Sequence, residues 1–171
     1  MSASLPHTDQ HQLSTPIGVL TLSVAADRLV GLEIQPESLG TRSLRNSSHR
    51  ILQEAAEQLG EYFAGERTSF DVPLALSGTK FQNRVWDALT EIPFGDTVSY
   101  QEVAQRIGAP RAARAVGGAV GANPIPIFVP CHRVMGANGA MTGYSGGGGI
   151  QTKASLLERE GAQLAASPRS T

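Results

Sequence analysis

The spacing of apolar residues changes near residue 77, and this change divides the sequence into two parts with different architectures. Before that point, segments 17–24 and 28–34 alternate apolar with polar residues, which is typical of strands with one buried face. Ala26 and Asp27 between them suit a two-residue hairpin turn. We therefore predict a β-hairpin in the first part of the chain.

A helix and a further strand follow in this first part. Residues 49–63 repeat apolar side chains at helical spacing, and Gly65 ends the helix. The predicted buried face consists of Ile51, Leu52, Ala55, Ala56, Leu59 and Phe63. Residues 70–76 indicate a strand, whose Pro73 favours a sheet edge. Because residues 1–77 contain no chemical motif, we predict that they form a mixed α/β domain that serves as a scaffold.

The second part is mostly helical, with short connections. Thr79 and Gln82 have the spacing of a capping box and begin one helix, and Ser99 and Glu102 begin another in the same way. Pro110 favours the first turn of a third helix. Two short helices joined by a glycine-containing turn are typical of a helix-turn-helix, whose second helix enters a DNA groove, although ordinary packed helix pairs share this pattern.

The remaining elements complete a second domain over residues 78–163. Residues 125–129 form an apolar run that predicts a buried strand, and a glycine-rich loop follows it. Apolar spacing from Ile150 to Glu160 then predicts a final helix. Residues 164–171 consist mainly of small and polar residues and predict a disordered tail.

The charges are distributed unequally between the two parts. Residues 1–77 carry five basic and nine acidic side chains, whereas residues 78–163 carry eight basic and six acidic ones. The second part can therefore bind DNA, although many nucleic-acid-binding domains are far more basic. No apolar run reaches the roughly 18–20 residues that span a bilayer, and the N-terminal residues show no secretory signal. We therefore expect a cytoplasmic protein without a membrane partner.

The chain has one cysteine, Cys131, which excludes an intramolecular disulfide and a cysteine-rich zinc site. Pro130 precedes it and lacks a backbone N–H, so regular strand pairing ends there. His132 follows, and a nearby imidazole can stabilise a thiolate. Taken alone, the Cys-His pair fits either an activated nucleophile or an inert buried cysteine, because adjacent side chains need not contact each other.

The longer sequence around the cysteine favours the nucleophile. The pattern Asn-Pro-x-Pro-x-x-x-Pro-Cys-His-Arg-Val closely resembles the active-site signature of O6-alkylguanine-DNA alkyltransferases. Over residues 79–161, the chain has in that family's order the segments FQNRVWDAL, IPFGDTVSYQEVA, AARAVGGAVGANP, PCHRV, GYSGG and LLEREG. Weaker similarity covers STPIGVLTL and EYFAGERTSFDVPL in the first part. The resemblance implies an α/β protein with an RNase H-like N-terminal domain and a mostly helical, winged-helix-like C-terminal domain.

The resemblance assigns a catalytic relay. Cys131 matches the alkyl acceptor, His132 matches the residue that takes the thiol proton through a bound water, and Glu160 matches the carboxylate that orients the imidazole. Without the resemblance, Glu160 would be interpreted as a solvated carboxylate near a helix end. Asn123 matches a hinge that joins the helix-turn-helix to the cysteine segment, a position that an ordinary helix-terminating asparagine also fits.

The resemblance also implies DNA contacts by the third helix and its neighbours. Arg114 matches the side chain that fills the gap left by a flipped-out nucleotide, and Tyr100 matches the tyrosine whose hydroxyl hydrogen-bonds the guanine. A solvated surface arginine and a structural tyrosine are the alternatives at these two positions. Further candidate DNA-binding residues are Arg84, Arg111, Ala115 and Gly117.

Residues 141–147 resemble the loop that covers the guanine pocket. Tyr144 would stack near the base, the backbone N–H of Ser145 would face guanine O6, and the backbone of Val134 would contact the base from the other side. The implied pocket residues are Tyr100, Val134, Met141, Tyr144, Ser145 and Gly146. The alternative is a flexible surface loop, and the run Gly146–Gly149 makes this loop longer than the family's pattern.

The implied activity is an irreversible, single-turnover transfer of a methyl or larger alkyl group from O6-alkylguanine in duplex DNA to the cysteine. O4-alkylthymine is a further candidate substrate. The nucleotide would be flipped out from the minor-groove side, without a metal or other cofactor, by a monomer able to cluster on DNA. Three other classes share parts of the pattern: a sensor of alkylated DNA that lacks the nucleophile, a cysteine hydrolase, and a winged-helix transcription factor.

Overall fold

The computed structural model describes residues 8–36, 47–144 and 146–162. The chain divides into two compact units, Met1–Ser77 and Gly78–Thr171. The predicted tail lies outside the described residues. Among the described helices, none is both long and apolar enough to cross a membrane.

The first unit contains a three-stranded antiparallel sheet with strand order β1-β2-β3. Its strands are β1 (Asp9–Thr15), β2 (Gly18–Ala25) and β3 (Arg28–Gln35). The turn between β2 and β3 consists of Ala26 and Asp27, whose φ angles are 49° and 60°. Two successive positive φ angles match the right-handed twist of a tight hairpin. The predicted hairpin and its turn are confirmed.

Strand β1 is absent from the sequence prediction because its sequence, DQHQLST, has one apolar residue and no alternation. It pairs with β2 along its whole length. Polar pairs support this ladder: Gln10 donates to Ser23 and Gln12 donates to Thr21, both at 3.1 Å. Backbone pairing and polar cross-strand contacts stabilise a strand that its own apolar pattern does not reveal.

Helix α1 (Arg50–Phe63) begins at an unusual cap. Nδ1 of His49 accepts a hydrogen bond from the backbone N–H of Ile51, and its Nε2 contacts Oδ1 of Asp27, both at 3.1 Å. His49 therefore links the helix to the hairpin turn.

The buried face of α1 differs from the prediction at two places. The buried residues are Ile51, Leu52, Ala55, Gln58, Leu59 and Tyr62, while Ala56 and Phe63 are half-buried. Gln58 can be buried because its side-chain oxygen accepts from the backbone N–H of Asp71 at 3.1 Å, and its amide donates to the Asp71 carboxylate. Apolar spacing alone does not identify a polar residue that finds such partners.

The predicted strand over residues 70–76 is wrong. A single parallel bridge joins Leu74 to Leu29 of β3. Leu29 donates to the carbonyl of Pro73 and accepts from the N–H of Ala75, both at 2.9 Å. Since Pro73 has no N–H to donate, the pairing cannot extend on the N-terminal side of Leu74.

In the second unit, the described residues form four α-helices, two short 3-10 turns and one short strand pair. The helices are α2 (Lys80–Thr90), α3 (Tyr100–Arg106), α4 (Ala113–Gly121) and α5 (Ile150–Arg159). Strands β4 (Val98–Ser99) and β5 (Val134–Met135) pair in parallel. With the sheet-containing first unit, this composition confirms the predicted α/β fold class.

Both predicted capping boxes are confirmed. The Thr79 hydroxyl accepts from the N–H of Gln82 at 3.1 Å, and the Gln82 side chain accepts in return at 3.0 Å. Ser99 and Glu102 exchange equivalent hydrogen bonds at 3.0 and 2.6 Å. These reciprocal bonds fix the first residues of α2 and α3.

One predicted helix boundary and one predicted strand in the second unit are wrong. Helix α4 begins at Ala113, because Pro110 lies in a separate turn closed by a 2.9 Å hydrogen bond from Ala112 to Ala109. Residues 125–129 are buried as predicted, except for the half-buried Pro126, but they form a tight turn rather than a strand. In that turn Ile127 has a φ angle of 75°, which no regular strand contains.

Helices α2 and α4 are joined by the chain's only tryptophan. Trp86 is 1% exposed, and its Nε1 donates to the carbonyl of Ala119 at 2.8 Å. We expect Trp86→Phe to lower the free energy of unfolding by about 1–3 kcal/mol, because the hydrogen bond and part of the buried ring are lost. Urea unfolding followed by circular dichroism measures this change. An unchanged midpoint would show that the hydrogen bond does not stabilise the helix pair.

Candidate active site around Cys131

Cys131 begins a 3-10 turn, Cys131–Arg133, that leads directly into β5. The backbone N–H of Cys131 donates to the carbonyl of Val129 at 2.8 Å, and that of Arg133 donates to the carbonyl of Pro130 at 3.1 Å. Pro130 thus ends the preceding buried turn and begins the next one. The cysteine residue is only 6% exposed, so its thiol occupies a fixed, largely desolvated position.

The groups around the thiol have opposing effects on the pKa of Cys131. Burial raises the pKa of Cys131 above its ordinary value. A hydrogen bond from the Asn123 side chain, the charge of Lys153 and the backbone N–H groups of Cys131 and His132 lower the pKa and offset part of this rise. Since burial is the largest effect, the free protein holds a neutral thiol.

Asn123 lies two residues after α4 and binds the turn that precedes the cysteine. Its Nδ2 donates to the carbonyl of Val129 at 2.8 Å, and its Oδ1 accepts from the N–H of Ile125 at 3.0 Å. The side chain therefore ties the end of α4 to the cysteine segment.

His132 is fully buried and faces the carboxylate of Glu160. Its Nε2 lies 2.7 and 3.0 Å from the two carboxylate oxygens. Because a carboxylate only accepts hydrogen bonds, Nε2 carries a proton, and Nδ1 of the neutral ring is an acceptor. Within the described residues, no protein group hydrogen-bonds Nδ1. Burial lowers the pKa of His132 despite the opposing effect of Glu160, so the imidazole is a neutral base.

Glu160 is held by a buried arginine as well as by the histidine. Nη2 and Nε of Arg133 lie 2.6 and 3.0 Å from Oε1 of Glu160, and Nη1 donates to the carbonyl of Ile92 at 2.6 Å. Burial raises the pKa of Glu160, but the hydrogen bonds and charges of His132 and Arg133 lower it below its ordinary value. The carboxylate is therefore ionised and fixed in direction.

Lys153 of α5 is a second buried cation near the cysteine. It is 1% exposed, and its Nζ donates to the carbonyls of Val134 at 2.6 Å and Thr142 at 2.8 Å. Burial lowers the pKa of Lys153 to about 8, while the charge of a Cys131 thiolate would raise it.

The predicted base-pocket residues lie in α3, in β5 and in the loop that follows β5. Tyr100 is the first residue of α3, and its hydroxyl accepts from Oγ1 of Thr142 at 3.3 Å. Val134 is fully buried at the beginning of β5. The half-buried residues of the loop include Met141, Tyr144 and Gly146. Ser145 lies outside the described residues.

The predicted DNA-binding residues fall mainly on one helix. Arg114 and Ala115 are exposed in the first turn of α4, and Arg111 is exposed in the turn before it. Gly117 is half-buried, and a Cβ there would lie 3.9 Å from the Tyr100 ring. The exposed Arg84 of α2 donates to the carbonyl of Ile107.

Sequence reasoning missed two buried cations in this site, Arg133 and Lys153. The signal for Lys153 was present, because it is separated from Leu156, Leu157 and Glu160 by three, four and seven residues. That spacing places them on one helical face. Arg133 was part of the PCHRV motif, but no spacing rule pairs it with a carboxylate 27 residues away.

A single buried thiol beside a histidine–carboxylate pair is the arrangement of proteins that act through a cysteine nucleophile. The models of the 6-O-methylguanine DNA methyltransferase family match residues 80–162 with its DNA binding domain and residues 10–76 with its ribonuclease-like domain. The chain belongs to this family, as the resemblance predicted.

Relatives support this assignment. The methylated-DNA--protein-cysteine methyltransferase of Mycolicibacterium paratuberculosis is 51% identical over 149 residues, which cover 86% of this chain and 89% of that protein. The crystal structure of Mycobacterium tuberculosis O6-methylguanine methyltransferase aligns with a TM-score of 0.78 and 47% identity, covering 94% of this chain and 97% of that one. The Mycobacterium tuberculosis protein in complex with DNA aligns with the same TM-score and 49% identity, covering 92% and 96%.

Proposed function

We propose that the protein repairs DNA by transferring an alkyl group from O6 of guanine to Sγ of Cys131, once per molecule. The observation that carries this proposal is the buried Cys131-His132 turn in which Nε2 of His132 contacts the carboxylate of Glu160. The neutral imidazole follows a neutral thiol in sequence, and the proposal is that it ionises this thiol when the substrate is in place.

The proposed step balances without any oxidant or reductant. The thiol proton passes through a water to Nδ1 of His132, and the resulting imidazolium is stabilised by Glu160. Sγ of Cys131 attacks the alkyl carbon, the carbon–O6 bond breaks, and its electron pair remains on the guanine, which takes up a proton. A thioether is stable in water, so the protein is consumed. This chemistry uses no cofactor.

Duplex DNA containing O6-alkylguanine is the proposed substrate, with O4-alkylthymine as a second. The target carbon is inaccessible in stacked DNA, so the nucleotide has to be flipped out, at a cost of a few kcal/mol. We assign minor-groove contact to α4, through Arg111, Arg114, Ala115 and Gly117. Arg84 is a candidate phosphate ligand. We assign the base pocket to Tyr100, Val134, Met141, Tyr144, Ser145 and Gly146.

The two domains have different proposed roles. We propose that residues 1–77 act as a scaffold and residues 78–163 as the DNA-binding and alkyl-transfer domain. We further propose a monomer in the cytoplasm, where reducing conditions keep the single thiol free. The relative that was crystallised with DNA supports DNA as the partner.

A duplex with one radiolabelled O6-methylguanine tests the proposal. We expect one label per protein molecule, recovered on the peptide that contains Cys131. Multiple turnovers with label released to solvent would identify a cysteine hydrolase. Binding without any transfer would identify a sensor of alkylated DNA or a transcription factor. Either result would overturn the proposed function.

The exposed Arg114 provides a test of nucleotide flipping. We expect Arg114→Ala to slow repair of duplex DNA by about 10–100-fold, because each 1.4 kcal/mol of lost stabilisation of the flipped state is a factor of ten. Reaction with free O6-benzylguanine should change little, since no base pair has to open. Arg50→Ala, at an exposed position of α1, is the control. Equal losses on both substrates would refute this role.

A further inference from the structure

We propose that Lys153 is a positioning residue for alkyl transfer, which joins the segment after Cys131 to the pocket loop and holds a buried positive charge near the thiol. The inference rests on the proposed function, and it assigns a role to a side chain outside the Cys131-His132-Glu160 relay.

Lys153 binds two carbonyls that belong to different segments of the site. Val134 belongs to β5, three residues after the cysteine, whereas Thr142 belongs to the loop. The side chain of Thr142 also donates to the hydroxyl of Tyr100. Thr142 is therefore held from α5 through its backbone and from α3 through its side chain. Loss of the ammonium would release one of these two anchors and leave two carbonyls without their donor.

Burying the ammonium of Lys153 has a free-energy cost. A lysine that only filled space would be less costly as methionine, because removing an ammonium from water is strongly unfavourable. Two hydrogen bonds to neutral carbonyls offset part of that cost but bring no opposite charge. A thiolate at Cys131 would bring one. The attraction between this cation and the sulfur is thus greatest in the reacting state, which is the condition for catalysis.

The other charges of the site compensate one another. Arg133 and Glu160 form a buried ion pair, and His132 is neutral. Among the described residues, Lys153 is the one side chain whose charge lowers the pKa of Cys131. Its own pKa of about 8 keeps most of it protonated at neutral pH.

The single cysteine allows a direct test on the full-length protein. The rate of alkylation by iodoacetamide as a function of pH reports the ionisation of Cys131, because no other thiol is present. We expect Lys153→Met to raise the midpoint of this profile by about one pH unit, so that alkylation at neutral pH slows about tenfold. Transfer from free O6-benzylguanine should slow by a further tenfold or more, since this substrate also needs the anchored pocket.

Two further variants separate charge from structure. Lys80→Met removes the only other lysine, which is exposed at the beginning of α2, and should behave as the original protein does. Lys153→Gln keeps an N–H donor for the carbonyls but no charge, so it should show the same rise in midpoint as Lys153→Met with a smaller additional loss on O6-benzylguanine. If the Lys153→Met variant fails to fold, the iodoacetamide midpoint is measured on the Lys153→Gln variant instead.

An unchanged iodoacetamide midpoint in either folded Lys153 variant would overturn the proposal. So would equal slowing of the iodoacetamide and O6-benzylguanine reactions by Lys153→Met, because the loop anchor would then have no effect. Failure of the proposed function is distinguished by the unsubstituted protein. If it takes no label from O6-methylguanine DNA, the repair assignment fails, whereas the iodoacetamide midpoints still report whether Lys153 acts on the thiol.

Discussion

Replacing Cys131 with serine is expected to abolish alkyl transfer while DNA binding survives. A serine hydroxyl is far less acidic than a thiol, and the neutral imidazole of His132 is too weak a base to ionise it. Loss of a catalytic nucleophile commonly lowers the rate by roughly 10⁴-fold or more. The fold should persist, because serine is close to cysteine in size and Asn123 remains able to hydrogen-bond it.

Two measurements on this variant are needed together. Transfer of label from O6-methylguanine DNA should be undetectable, and an electrophoretic assay should show retention of the same DNA. Cys131→Ala, which has no hydroxyl, should give the same result. Residual transfer by both variants would locate the acceptor elsewhere. Loss of folding in both would instead make Cys131 a structural residue.

Replacing Glu160 with glutamine is expected to reduce both stability and activity strongly. The amide has the same shape but leaves the buried guanidinium of Arg133 without a counter-charge. Removing one partner of a buried ion pair typically costs about 3–5 kcal/mol of unfolding free energy. His132 would also lose the anion that supports its protonation, and loss of general-base catalysis commonly slows a reaction by about 10²–10⁴-fold.

The lowered pKa of Glu160 predicts how the stability of the protein changes with pH. Because the pKa of Glu160 is lowered in the folded protein, its ionised form stabilises the fold at neutral pH. That stabilisation is lost as the pH falls through the folded-state pKa of Glu160. The glutamine variant should therefore lose less stability than the original protein on acidification. Urea unfolding at a series of pH values measures both effects.

The double variant Arg133→Met with Glu160→Leu separates charge from packing. Replacing both members of a buried ion pair by apolar residues is often neutral for stability. The double variant should therefore unfold at a higher urea concentration than the Glu160→Gln variant. Glu158→Gln, at an exposed position in the last turn of α5, is the matched control. A double variant less stable than the single one would show that the ion pair itself, rather than an unpaired charge, accounts for the loss.

The sequence predicted those elements that carry a strong local signal. The capping boxes at Thr79 and Ser99 and the hairpin turn at Ala26 involve residues three or fewer positions apart. Strand β1 has no such signal, since its pairing with β2 decides its conformation. The buried turn after α4 has the composition of a strand, and the hydrogen bonds of Asn123 that help to hold the turn cannot be read from that composition.

The site was predictable only as far as the family resemblance reached. The resemblance named Cys131, His132 and Glu160, and composition alone would have placed the glutamate in solvent. It did not indicate that Arg133 fixes the glutamate or that Lys153 is buried against the carbonyls of Val134 and Thr142. Buried ion pairs join distant parts of the chain, and a single sequence contains no record of such pairs.

The contact of Trp86 with α4 provides an intrinsic fluorescence signal for movement of this helix. Trp86 is the only indole in the chain, and its N–H is bonded to the backbone of the helix to which we assign DNA contact. Emission from an indole responds to changes in the polarity and hydrogen bonding around it. Any shift of α4 during DNA engagement would therefore register as a change in intrinsic fluorescence, and the kinetics of that engagement could be followed without a dye.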